Sequence, residues 1–320
     1  MKLKTKIKLG MAAIAGSVAV TALVKGGLDA LVKSNLSKEG ITQTKSKVMS
    51  KKNQEDFANS PEVILGQLFY ASTPQINITI TNRENKHINA LFYKNGDENS
   101  KYALLVHGYR STPKSLSYIA RRYFENGYNV LIPYMRAHHG SDYEYSTMGW
   151  HERFDRIDWV NYIDGISNEA SIVLHGVSMG GATVMMVTGE SLPSCVKCAI
   201  EDCGYTSVYD AYSYKIPKMM KIPAFPSIDL FRHAIQKKVG FDIKEASALN
   251  QVRKSCTPTL FIHGETDTVV PVSMVEELYA SATCKKDILI CPRADHAMSP
   301  LIEPDRYWGK VFDFISENSK

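Results

Sequence analysis

With 320 residues, 44% of them apolar and 22% charged, the chain has the make-up of an ordinary globular protein with a sizeable core, which sets aside disorder and fibrous repeats. Its net charge of +5 is not spread over the molecule: six of the 38 basic and one of the 33 acidic residues fall within residues 1–33, so the remainder holds 32 of each. A neutral body without a basic run excludes nucleic acid as the expected partner.

The first 33 residues read as a targeting segment. Four alternating lysines (Lys2, Lys4, Lys6, Lys8) precede an apolar run from Leu9 to Val24, and Lys25 closes it. Sixteen residues fall short of the ~20 that cross a bilayer core, although the flanking lysines extend the reach. The basic side predicts an uncleaved membrane anchor with the rest of the chain extracytoplasmic; secretion after cleavage near Val20-Thr21-Ala22 is the alternative. Residues 34–75 then read as a polar, lysine-rich tether ending in a helix from Glu55 to Tyr70, which packs on the edge of a domain spanning 76–320.

At Ile76 the period changes to two. The alternating runs Ile76–Thr81 and His87–Tyr93, joined by a polar turn, predict an antiparallel hairpin. Continuous apolar strands follow at Tyr102–Val106, Asn129–Tyr134, Ile172–Leu174, Val196–Ile200, Thr259–Ile262 and Asp287–Ile290. Helical segments at about 113–126, 150–166, 272–281 and 305–316 alternate with them, the pattern of an α/β protein whose mostly parallel, doubly wound sheet is covered on both faces. Residues 206–250 break this rhythm. A crossing of that length folds separately or covers a site, so it reads as a small helical cap, with Pro217, Pro223 and Pro226 around Met219-Met220-Lys221-Ile222 and Ala224-Phe225, its prolines and methionines turned toward an apolar cleft.

Six cysteines are present. Cys195 and Cys198 lie on or beside an extended run, where an i,i+3 separation of roughly 10 Å exceeds disulfide reach. Cys284 and Cys291 flank another such run, and no second pair or histidine stands at zinc spacing. Free, mostly buried thiols are expected at these positions and at Cys203 and Cys256, with no metal.

The chemistry centres on Ser171–Gly181, where an apolar strand runs through Gly176-x-Ser178-x-Gly180 into a helix. A serine at such a turn stands clear of the sheet, and the glycines keep Cβ atoms out of the crowded bend. A serine hydroxyl is barely ionised at neutral pH, so it needs a base, and the base needs an orienting carboxylate. Asp267 follows the Phe261-Ile262 strand and His296 follows the Ile288–Ile290 strand, 89 residues after Ser178 and 29 residues after Asp267 respectively. Asp202, at the end of the preceding strand, is a rival for the carboxylate role. His107, His175 and His263 each precede a glycine at a strand end and read as packed and hydrogen-bonded. Glu265 and Asp295 read as capping or solvent-facing, and His138, His139 and Asp142 lack the further ligands of a metal site.

Taken together, five motifs resemble the α/β-hydrolase superfamily over about residues 70–320. They are Gly176-x-Ser178-x-Gly180-Gly181, His107-Gly108-Tyr109, Arg136-Ala137-His138-His139-Gly140-Ser141, His263-Gly264-x-x-Asp267-x-x-Val270-Pro271 and Asp295-His296. The likeness is nearest to its bacterial membrane-anchored esterase and serine-aminopeptidase-like branch. It implies an α/β-hydrolase fold, a Ser178–His296–Asp267 triad, and an oxyanion hole formed by the main-chain N–H groups of Met179 and Tyr109. It also implies a small ester or short peptide as substrate and requires no cofactor or metal. The doubled His138-His139 departs from the family's single histidine before glycine, which leaves the shape of that loop open. An apolar cap suits a medium-sized ester; a peptidase taking free amino termini calls for a cap carboxylate, with Asp229 and Asp242 as candidates. A catalytically silent binding protein on the same fold is the third expectation.

Overall fold

The computed structural model describes residues 25–43, 51–96, 100–167, 169–221 and 223–319. Its strands form one eight-stranded sheet in the order β1-β2-β4-β3-β5-β6-β7-β8. The alternating pair β1 (Ile76–Thr81) and β2 (His87–Tyr93) makes an antiparallel edge, in register from Ile76 opposite Phe92 to Thr81 opposite His87. β2 is also antiparallel to β4 (Asn129–Pro133). From there β3 (Lys101–Val106), β5 (Ser171–Val177), β6 (Val196–Asp202), β7 (Thr259–Gly264) and β8 (Lys286–Cys291) run parallel. The expected doubly wound sheet is thus the one observed.

Side chains alternate across each strand, so the continuous apolar runs feed two cores. Leu104, Leu131, Ile172 and Leu174 join one core with α6 (Glu152–Ile166), α7 (Met179–Thr188) and α11 (Ser273–Ser281). Ala103, Leu105, Val130 and Val173 join the other, with α4 (Pro61–Ser72), α5 (Ser117–Glu125) and α13 (Pro304–Asn318).

Four expectations change. The helix placed at Glu55–Tyr70 is two, α3 (Lys51–Asn59) and α4, because Pro61 has no N–H to donate and holds Ser60 in extended backbone (φ −64, ψ 135). The polar tether is not a tether over its first part. Residues 25–36 (α1) and Lys38–Gln43 (α2) are helical, and Val32 and Leu36 are fully buried in the same core as Met135 and Met148. Ser37 bridges to Tyr145, and the Lys38 N–H donates to the Glu144 carbonyl at 2.7 Å. Leu28, Val32 and Leu36 recur at i, i+4, i+8, a stripe that the surrounding lysines and serines obscured. Residues 25–33, expected within the targeting segment, are thus helical and meet the body through Leu28 and Val32. The apolar run up to Val24 lies outside the described residues, among which no helix is long and apolar enough to cross a membrane.

The insertion at 206–250 folds as α8 (Val208–Met220) and α9 (Ala224–Val239), followed by α10 (Ala248–Val252). Tyr212 and Phe231 pack edge to face at 5.2 Å between α8 and α9. Pro223 and Pro226, expected to face the cleft, are instead exposed, as is Phe225 beside them. Ile222 and the side chains of Met219 and Met220 lie outside the described residues. All six cysteines are unpaired, with Cys195, Cys198, Cys203 and Cys291 buried.

Candidate active site

At the end of β5 the main chain crosses itself. A Cβ on Gly176 would stand 2.1 Å from the Gly180 carbonyl oxygen, and one on Gly180 would stand 1.9 Å from that of Val106. Only hydrogen fits at either position, and this contact lets the strand turn into α7 at once. Ser178, at the apex, has φ 59 and ψ −119. Such a conformation costs a non-glycine residue about 1–3 kcal/mol and persists only where its surroundings enforce it. Here the Ser178 N–H donates to the Asp202 carbonyl at 2.7 Å, while its own carbonyl accepts from Ala182.

The hydroxyl so raised meets the loop after β8. Ser178 Oγ lies 2.8 Å from His296 Nε2, and His296 Nδ1 lies 2.7 Å from Asp267 Oδ2. Asp267 Oδ1 accepts the N–H groups of Val269 and Val270, both at 2.8 Å. Burial works against this carboxylate, yet hydrogen bonds from His263 and His296 outweigh it and hold the carboxyl well below the usual range. His296 Nδ1 therefore carries the proton and Nε2 is free to accept one from Ser178. His263 sits behind the pair, its Nε2 at 2.9 Å from the Val270 carbonyl and 3.3 Å from Asp267 Oδ2.

The rival carboxylate is engaged elsewhere. Asp202 accepts the Tyr307 hydroxyl at 2.9 Å, Tyr307 accepts from His175 Nε2 at 3.1 Å, and His175 Nδ1 accepts the Tyr123 hydroxyl at 3.0 Å. Burial pushes Asp202 up to about 6 and His175 down to about 3. Next to it, Glu201 is pushed up to about 8 by burial, with only Oε2 bonded, to the Gly204 N–H at 3.0 Å. Asp295 accepts from the N–H groups of Thr268 and His296 at 2.8 Å, the capping role expected of it.

Two N–H groups border the serine. That of Met179 opens α7, where the first-turn donors have no intrahelical acceptor. That of Tyr109 follows Gly108, whose Cβ position is 3.3 Å from Ser178 Cβ and 3.8 Å from Oγ. The loop carrying Tyr109 is held by two histidines. His107 Nε2 accepts the Met135 N–H at 3.2 Å, with its Nδ1 3.0 Å from the Gly108 carbonyl. His138 Nε2 accepts the Arg110 N–H at 3.0 Å, with its Nδ1 2.8 Å from the Arg136 carbonyl. Burial lowers both imidazoles, which keeps them neutral and able to accept. The first histidine of the doubled pair thus has both nitrogens committed to main chain, which rules it out as a metal ligand. Cys203, Asp267 and His296 do place ligand atoms within 4.8 Å of one another. Asp267 and His296 are already hydrogen-bonded to each other, and burial keeps the Cys203 thiol protonated, so the trio is a poor fit for an ion.

A cavity of ≈ 290 Å³ opens onto Ser178 and His296. α8 contributes Ala211, Tyr212 and Lys215 to its wall, and the leading segment contributes Asn35 and Phe57. Asn35 is fixed there because its carbonyl accepts the Tyr109 hydroxyl at 2.8 Å, while the Ser34 carbonyl accepts from the Arg110 guanidinium at 2.8 Å. Sequence reasoning missed both the leading segment and Lys215. Asp229 and Asp242, the cap carboxylates considered for a substrate ammonium, do not line the cavity. Asp229 lies 3.4 Å from Lys244 Nζ, and Asp242 is paired with Arg232.

A model described as the prolyl oligopeptidase family matches residues 115–320. Uncharacterized protein YqkD of Bacillus subtilis is 27% identical over 202 residues, 63% of this chain and 66% of its own, so the chain spans just under two thirds of that relative. Among solved structures, an esterase of Pyrococcus furiosus is similar at TM-score 0.63 and 22% identity, over 78% of this chain and 93% of that one. The acylaminoacyl peptidase of Pyrococcus horikoshii is similar at TM-score 0.59 and 15% identity, over 79% of this chain and 43% of that one. These two likenesses establish the fold, that of the α/β-hydrolases.

Proposed function

The chain belongs to the prolyl oligopeptidase family of serine hydrolases, and from that premise we propose that it cleaves carboxylic esters through an acyl-enzyme on Ser178. The observation that carries this reading is the unbroken line from Ser178 Oγ through His296 to Asp267, at 2.8 and 2.7 Å. As Oγ bonds to the acyl carbon, His296 Nε2 takes its proton. The carbon–oxygen bond to the leaving alcohol then breaks, and the imidazolium protonates that alcohol. Water adds to the acyl-enzyme, gives its proton to the same nitrogen, and the acid departs as the proton returns to Ser178. Asp267 fixes the imidazole tautomer. The N–H groups of Met179 and Tyr109 hold the oxyanion, each worth about 3 kcal/mol of barrier.

The peptidase alternative has the family's name and the acylaminoacyl peptidase likeness in its favour. Labelling with a fluorophosphonate, beside Ser178→Ala, tests the nucleophile: the wild type is expected to label and the variant not, and equal labelling of both would refute the assignment. Turnover of p-nitrophenyl esters against aminoacyl anilides then separates ester from peptide hydrolysis. For location, the lysines and apolar run ahead of Lys25 support a membrane anchor with the hydrolase domain outside. Retention of the full chain in alkali-washed membranes, with the domain open to external protease, is the matching test.

A further inference from the structure

α8 turns one face to the cavity. Ala211, Tyr212 and Lys215, at i, i+1 and i+4, all line it, so the Lys215 ammonium is directed toward the same space as Ser178 and His296. Lys215 Nζ lies 5.8 Å from the centre of the Tyr109 ring, on the residue that borders the serine. Arg110 lines the cavity too, its guanidinium 5.0 Å from the same ring. Among the described residues that guanidinium donates to the neutral carbonyls of Ser34 and Gly40 at 2.8 and 3.4 Å, and its buried Nε has no partner there. Among the described residues the lining therefore holds two cations and no carboxylate, and Lys215 has no acidic partner. A half-buried ammonium facing a second positive charge is unfavourable unless an anion joins it. Burial first, then the charge of Arg110, lowers the Lys215 ammonium from its ordinary value, as a positive pocket lacking its counter-charge requires.

We propose that Lys215, backed by Arg110, is a specificity residue that binds an anionic oxygen group on the substrate, so that this hydrolase prefers esters whose acyl or alcohol part ends in a carboxylate or phosphate. The inference rests on the reading of Ser178 as nucleophile. It also accounts for a mostly apolar chamber: its apolar walls receive the chain between the scissile ester and the charge, and the charge fixes which end enters first. A free amino terminus would meet like charge at the same place.

The test uses the full-length protein and chain-length series of p-nitrophenyl esters ending in carboxylate, phosphate, neutral carboxamide or ammonium, with a second series carrying these groups on the alcohol. At the best length, kcat/KM for the carboxylate or the phosphate member is expected to exceed the carboxamide by roughly 10- to 100-fold, the range of a charge-assisted contact in a partly dry site. Which anion gives the larger ratio identifies the source. The ratio should collapse toward one in Lys215→Gln, persist in Lys215→Arg, and invert toward the ammonium member in Lys215→Glu. A wild-type ratio at or below one, or a ratio unmoved in Lys215→Gln, overturns the proposal. Calorimetry with the intact carboxylate ester on Ser178→Ala reads binding alone. Lysine-dependent binding there, without turnover or fluorophosphonate labelling of the wild type, would sustain the anion site and overturn the hydrolase reading.

Discussion

His107 and His138 each hold the other's loop. The ring of His107, at the end of β3, accepts the N–H of Met135 after β4, and the ring of His138, in that second loop, accepts the N–H of Arg110 in the first. Their ring centres lie 5.2 Å apart, edge to face. Tyr109 sits between the two tied points, so the position of its N–H beside Ser178 depends on both rings.

Breaking one tie should therefore act on the chemical step. His138→Phe keeps a ring but removes both hydrogen bonds, and it is expected to lower kcat by about 10- to 100-fold with little change in KM, because an oxyanion donor matters most in the transition state. The double variant with His107→Phe should lose less than the product of the two single losses, since the second cut acts on a loop already loose. Steady-state kinetics on one short ester decides it; a change confined to KM would point to the cavity wall and not to the oxyanion site.

The buried acids beneath the site set a pH profile for stability. Glu201 and Asp202 are pushed up by burial, to about 8 and about 6. His263 is raised as well, burial opposing and the hydrogen bond and charge of Asp267 prevailing. Each holds its proton more tightly folded than unfolded, so each contribution is complete below the unfolded pKa and fades as the pH climbs through the folded one. Asp267 has the opposite sense: its contribution is present above the unfolded value of about 3.9 and is lost as the pH falls below it. Below about pH 6.5 the imidazoles of His107, His138 and His175, lowered by burial, stay neutral folded while they would charge unfolded, so they too take stability away on the acid side. Tm is thus expected to peak at roughly pH 6–7 and decline toward pH 9. Glu201→Gln removes one titrating group and should flatten the alkaline limb, by on the order of a few kcal/mol at pH 9. Melting curves of both proteins from pH 4 to 9 test it, and parallel alkaline limbs would contradict the assignment.

The leading helices are expected to matter to catalysis as well as to stability. Leu36 is fully buried in the body, and its neighbour Asn35 forms cavity wall. Leu36→Ala should cost about 2–4 kcal/mol if the segment folds with the body. It should also reduce turnover, because the Tyr109 hydroxyl loses a fixed acceptor. Denaturant unfolding and kcat/KM measured on the same preparation check both; normal stability and activity would mean that this docking is dispensable.

Much of this was legible in the chain. Strand runs such as Leu104-Leu105-Val106 show burial on two faces directly, and Ser178, Asp267 and His296 follow three strand ends in an order the fold brings together. In the structure the three side chains stand in hydrogen-bond contact, at 2.8 and 2.7 Å. What stayed hidden depends on tertiary partners. Lysines and serines around the Leu28–Val32–Leu36 stripe gave residues 25–43 the composition of a tether, although the stripe finds its complement only on the body. Pro223 and Pro226 read as cleft residues, but apolar character says nothing about which side of a cap helix faces inward. Lys215 carried no signal at all, since its meaning comes from Tyr109 and Arg110, about a hundred residues earlier in the chain.

The line Tyr123–His175–Tyr307–Asp202 has a direction. Its anionic end obliges Tyr307 to donate toward Asp202, which obliges His175 to give its one proton to Tyr307 and leaves only Tyr123 to give in turn. Four groups from four different elements thus share one polarity, and none can reverse alone. A phenylalanine at either tyrosine would interrupt a sequence of orientations that spans one layer of the molecule. Asp202, the rival considered for the carboxylate role, is on this account the terminus of an internal line of hydrogen bonds that serves the architecture.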